Sequence, residues 1–98
     1  MAGNPDHLPL AQALARLAAL PAGSTNGIAE NRRYMVTKTL FSGGRSVKLV
    51  AKELGGSDYI SLNVYHLSSG PRLIPCEMSR VKVVHFLLVL RITDQDAA

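Results

Sequence analysis

The clearest pattern in this 98-residue chain runs from Gly43 to Leu67, where two Gly-Gly pairs punctuate segments that alternate apolar and polar residues. In Arg45–Leu54, Val47, Leu49 and Ala51 alternate with Ser46, Lys48, Val50 and Lys52. In Asp58–Leu67, Ile60, Leu62 and Val64 alternate with Tyr59, Ser61, Asn63 and Tyr65. A period of two puts successive side chains on opposite faces of a strand. Gly-Gly supplies the positive φ angles that tight hairpins need. The two segments therefore predict antiparallel strands with one buried and one wet face. Arg33–Phe41, rich in Tyr, Val and Thr, reads as a strand before them. Asn31 is the turn residue that separates it from a short edge strand at Ser24–Glu30. Ser68-Ser69-Gly70-Pro71 turns the chain into a last short strand, Arg72–Cys76, where Pro75 points to an edge or a bulge.

Helical periodicity flanks these segments. Leu10, Leu14 and Leu17, with Ala18, recur at spacings of three and four. They predict a helix from an Asp6 N-cap to about Leu20, ended by Pro21-Ala22-Gly23. Ser79 is the expected N-cap of a second helix reaching about Ile92. That helix is apolar on nearly every side, broken only by Arg80, Lys82, His85 and Arg91. The expected fold is α+β, an antiparallel β-meander of three to five strands flanked by an N-terminal and a C-terminal helix. It forms a single domain over 1–98, with 1–5 and 94–98 disordered.

Composition narrows this picture. With 47% apolar and 18% charged residues the chain is globular rather than disordered. Its net charge of +4 and pI near 9.6 suit an anionic partner or simple solubility. The single cysteine, Cys76, excludes an intrachain disulfide framework and points to the cytoplasm. The first twenty residues lack the early positive charge and long apolar core of a secretory signal. Val83–Leu90 is far too short to cross a bilayer, so no membrane partner is expected.

Candidate chemistry concentrates on the wet sheet face. If the apolar sets face the helices, the opposite face presents Lys48, Lys52, Tyr59, Ser61, Asn63 and Tyr65, with Arg33 or Arg45 beside them. Stacking rings beside cations are what single-stranded nucleic-acid binders use, and the same residues also make an ordinary solvated face. The near-uniform apolarity of the last helix predicts an exposed patch that a homodimer would cover, with Val84, His85, Leu88 and Arg91 at the interface. This makes a protein-interaction module, using that helix or an open strand edge at 24–30 or 72–76, the alternative to nucleic-acid binding. No catalytic residue is expected. A thiolate at Cys76 would need a base such as His66 or His85, and adjacent Glu77 would raise its pKa. His7, His66 and His85 lack ligand spacing, and the glycine pairs precede no phosphate loop, so neither metal nor cofactor is expected. Asp58 and Glu53 could work as an acid–base pair but read more simply as turn residues.

The motifs GGRS, ELGGSDYISLN and PCEM, within Pro21 to Leu90, resemble a family of short uncharacterised bacterial proteins. The resemblance implies a shared fold. Members of that family are sometimes assigned peptide methionine sulfoxide reductase activity, which uses a Cys in a Gly-Cys-Phe-Trp signature backed by resolving cysteines. This chain has neither feature, and it carries Val50 and Ser79 where the family commonly has an aromatic residue and Pro.

Overall fold

The computed structural model describes residues 7–93. Its elements are α1 (His7–Ala19), β1 (Gly23–Ala29), β2 (Arg32–Phe41), β3 (Ser46–Glu53), β4 (Tyr59–Leu67), β5 (Gly70–Pro75), α2 (Arg80–Val89) and β6 (Arg91–Ile92). The Asp6 N-cap and the terminal segments 1–5 and 94–98 lie outside the described residues. The strands form one antiparallel sheet in the order β5-β4-β3-β2-β1-β6. The fold class is the one expected from the sequence, and β1 to β5 form the expected meander, at the upper end of three to five strands. The sixth strand is not expected.

β6 corrects the expectation that the last helix runs to Ile92. α2 stops at Val89, Leu90 turns to extended backbone, and Arg91 and Ile92 pair with Ile28 and Gly27. A two-residue strand has no periodicity of its own, so nothing local announces it. Gly27 makes room for it: a Cβ there would lie 2.8 Å from Leu90 Cδ1 and 2.9 Å from the Arg91 carbonyl oxygen.

The turns follow the residues that mark them. Glu30 and Asn31 both take positive φ (53° and 63°), as the two central residues of a type I′ hairpin turn must. Gly43, Gly44 and Gly55 also adopt positive φ, so both Gly-Gly pairs supply the backbone freedom expected of them.

Register then fixes the faces. Val36 pairs with Ala51, and Ala51 with Ile60. Leu49 pairs with Leu62. These residues join Val47, Val64, Leu73 and Tyr34 in a core roofed by both helices. α1 contributes Ala13 and Leu17, with Leu10 and Leu14 packed at the margin. Ala18 is exposed, so Ala13 takes the place in the stripe expected of it. α2 contributes Val83, Phe86 and Leu87, and Leu90 follows just past its end. Ser79 caps α2, its hydroxyl accepting from Lys82 N–H at 3.1 Å.

Two long cations tie the layers together. Lys38 lies on β2 in phase with the core and is only 8% exposed. Its ammonium donates to the carbonyls of Leu17, Ala18 and Leu20 at 2.9, 3.2 and 2.8 Å. These are the orphan acceptors at the end of α1, where cations are favoured. Burial pulls the Lys38 pKa down. Arg16 of α1 serves α2 in the same way, donating to the carbonyls of Leu87 (2.6 Å) and Leu90.

Candidate functional site

The helices occupy one face of the sheet, and no described element covers the other. β3 and β4 place all six expected face residues on that open side. Lys48 lies opposite Asn63, Val50 opposite Ser61, and Lys52 opposite Tyr59. Tyr65 lies between Ser46 on β3 and Arg72 on β5. Directly opposed side chains on one sheet face are neighbours, with Cβ atoms about 4.5–5.5 Å apart. The face is wider than the sequence reading drew it. β2 adds Arg33, Met35 and Phe41, β5 adds Ile74, and β6 adds Arg91 opposite Ile28. Met35, Phe41, Tyr59, Tyr65, Leu67 and Ile74 are each 39–47% exposed.

Charge divides across the sheet. Lys48, Lys52, Arg33, Arg72 and Arg91 stand on the open face and take part in no ion pair among the described residues. Of the seven carboxylate residues in the chain, Asp6, Asp94 and Asp96 lie outside the described residues, which leaves Glu30, Glu53, Asp58 and Glu77. Three of these serve the helix side. Glu77, just past β5, borders the open face and accepts from Tyr59 Oη at 3.3 Å. Asn63 Nδ2 donates to Cys76 Sγ at 3.3 Å, so Cys76 is a half-buried neighbour of the face with Asn63, not a histidine, beside it.

The helix side holds a cluster that sequence reasoning missed. Asp58 accepts from Lys82 Nζ and from Tyr34 Oη, both at 2.8 Å, with Arg32 at 3.9 Å. The Lys82 ammonium, helped by the Tyr34 hydroxyl, holds the Asp58 carboxyl below its usual range despite partial burial. Burial pushes the Tyr34 hydroxyl up, and the Asp58 charge adds to that. The Tyr34 ring meets Phe86 edge-on at 5.0 Å. Glu53 does not face Asp58 as an acid–base partner. Its carboxylate accepts the Asp58 backbone N–H at 3.2 Å, which is a turn contact. Arg32, Tyr34, Asp58 and Lys82, together with the Glu30–His85 pair at 2.9 Å, line a cleft of about 340 Å³ beside α2. Its charges are matched within its own walls. The signal for Asp58 lay in its strand phase, which sets it on the helix side with Tyr34, but its partners are remote in sequence.

The four expected interface residues do not share one surface. Val84 and Leu88 are half-buried against the core, and exposed His85 is engaged by Glu30. Arg91 belongs to β6 and the open face. α1 covers much of the apolar surface of α2 and leaves Val81, at 78% exposure, as its one exposed large apolar side chain. The strand edges are also less open than expected. Cys76 N–H bonds to the Ser61 carbonyl, so Pro71, Leu73 and Pro75 turn their main chain to the free edge of β5. Two of those three residues lack an N–H to offer. On the far side, β6 and Thr93 N–H take up part of the β1 edge.

Among the described residues no group of three His, Cys, Asp or Glu side chains is placed to hold a metal ion. No described helix is long and apolar enough to cross a membrane. Compared with protein-family models, curated proteins and solved structures, the chain matches none.

Proposed function

We propose that the open face of the sheet binds single-stranded nucleic acid and that the protein is a binding module without a catalytic step. One observation carries this reading. The cations of the open face have no carboxylate partner among the described residues, while on the helix side Asp58 holds Lys82 and Arg32, Glu30 holds His85, and backbone carbonyls hold Lys38 and Arg16. Phosphates would neutralise Lys48, Lys52 and Arg72, and exposed Tyr59 and Tyr65 offer rings on which bases stack, each worth about 1–3 kcal/mol. Ser61 and Asn63, between the two rings on β4, offer hydroxyl and amide groups to base edges. Self-association through the same face would bring five like charges against five, which disfavours it. A module assembled through α2 has only Val81 behind it. The lone, half-buried Cys76 fits a reducing, cytoplasmic setting.

Fluorescence anisotropy of a labelled mixed-sequence 12-mer, as DNA and as RNA, tests the reading at low and at physiological salt. The expected result is saturable binding that weakens with salt. Three phosphate contacts on a single strand give a log–log slope of about −2. Lys48→Ala combined with Tyr65→Ala weakens binding at both salts. Absence of binding at low salt overturns the reading.

A further inference from the structure

The spacing of the two tyrosines goes further, on the footing that the open face is the nucleic-acid site. Tyr59, at the start of β4, and Tyr65, two residues before its end, lie on the same face, six residues apart. At about 3.4 Å per residue this separates them by about 20 Å. A stacked strand advances about 3.4 Å per nucleotide, so a strand that bridges the two rings in three steps is unstacked and extended to about twice that rise. Three extended steps therefore span the distance, and three stacked steps do not.

The two ends differ. Beside Tyr65 stand Arg72 on β5 and Ser46 on β3, with Phe41 opposite Ser46 on β2. This end combines two exposed rings with a cation. Beside Tyr59 stand Lys52 and, next to Lys52, Met35. The Tyr59 hydroxyl is engaged by Glu77, whose negative charge opposes a phosphate there. On β3, Lys48 and Lys52 lie four residues apart, about 14 Å, which matches two such extended steps.

We propose that the ligand is an extended single strand of at least four nucleotides laid along β4. Its first and fourth bases stack on Tyr59 and Tyr65, and its backbone follows Lys48 and Lys52. The Tyr65 end is the stronger station, and Glu77 weakens the other. A duplex cannot occupy the site in this way, because its bases already stack within the helix.

Competition by unlabelled oligothymidylates of two to eight nucleotides, against a labelled 12-mer bound to the full chain, tests the footprint. The expected result is a step of about tenfold in affinity between three and four nucleotides, with a much smaller gain per residue beyond five. Tyr59→Ala removes the step, and Tyr59→Phe, which keeps the ring, retains it. Glu77→Gln tightens tetranucleotide binding severalfold at low salt. A 12-base-pair duplex competes at least about tenfold more weakly than the tetranucleotide. A smooth rise of affinity with length, an intact step in Tyr59→Ala, or a duplex that competes equally well would overturn the footprint while the labelled 12-mer still binds. Failure of the labelled 12-mer to bind at all would instead overturn the reading of the face on which the footprint rests.

Discussion

The two faces of the sheet use cations in opposite ways. On the helix side, Lys38, Arg16 and Lys82 are all committed. Three carbonyls take the Lys38 ammonium, two take the Arg16 guanidinium, and Asp58 takes Lys82. On the open side, Lys48, Lys52, Arg33 and Arg72 have no carboxylate partner among the described residues. A cation bound to orphan carbonyls or to a carboxylate stabilises the fold and has little left for a ligand. An unpartnered, solvated cation contributes little to stability and keeps its field for a partner. The chain thus separates the charges that build it from those free to act.

Substitutions can break this contrast at either end. The largest effect is expected from Lys38→Met, which keeps the apolar stem but strips three carbonyls at the end of α1, one buried and two partly buried, of their donor. It should cost about 2–4 kcal/mol. Thermal unfolding should register a fall of about 10 °C or more. An unchanged melting temperature would remove Lys38 as the cap of α1. Arg16→Met should follow at about 1–3 kcal/mol, because it frees two carbonyls rather than three. Neither change should reduce oligonucleotide binding by the folded protein.

Asp58 sharpens the contrast through pH. Its native pKa is depressed below the ordinary value of 3.8, chiefly by Lys82. Its pairing therefore stabilises the fold fully above that value and is lost as pH falls through the lower native pKa. The stability gap between wild type and Asp58→Asn, read from urea midpoints, should be constant above about pH 5 and close on further acidification. A gap independent of pH would mean that the charge of Asp58 is not what holds Tyr34 and Lys82. The smallest stability effect belongs to the open face. Lys48→Ala and Lys52→Ala should each shift stability by no more than about 0.5 kcal/mol. A larger loss would place these lysines among the structural cations.

These two classes of cation were not equally legible in the sequence. The open face was readable because its signal is local. Alternation along Arg45–Leu54 and Asp58–Leu67 assigns every side chain to a face, and Gly-Gly and Asn31 place the turns. The committed cations depend on partners far away in the chain. Lys38 stands in phase with Tyr34 and Val36, so its inward position was available from alternation, but its acceptors lie eighteen or more residues back in α1. Arg16 reaches carbonyls more than seventy residues ahead. The end of α2 is hidden from the sequence for the same reason. Leu90 and Ile92 are apolar enough to continue a helix, and the room that Gly27 on β1 leaves for a strand is not visible locally.

On the reading proposed above, nucleic acid meets the open face and not the cleft or the helices. Two-dimensional ¹H–¹⁵N NMR of the labelled protein, titrated with a single-stranded hexanucleotide, tests it most directly. Binding on the open face should concentrate amide shifts on Lys48 to Lys52 of β3 and Tyr59 to Tyr65 of β4, with α1 and α2 unmoved. Shifts centred on Tyr34, Asp58 and His85, or on α2 around Val81, would contradict it.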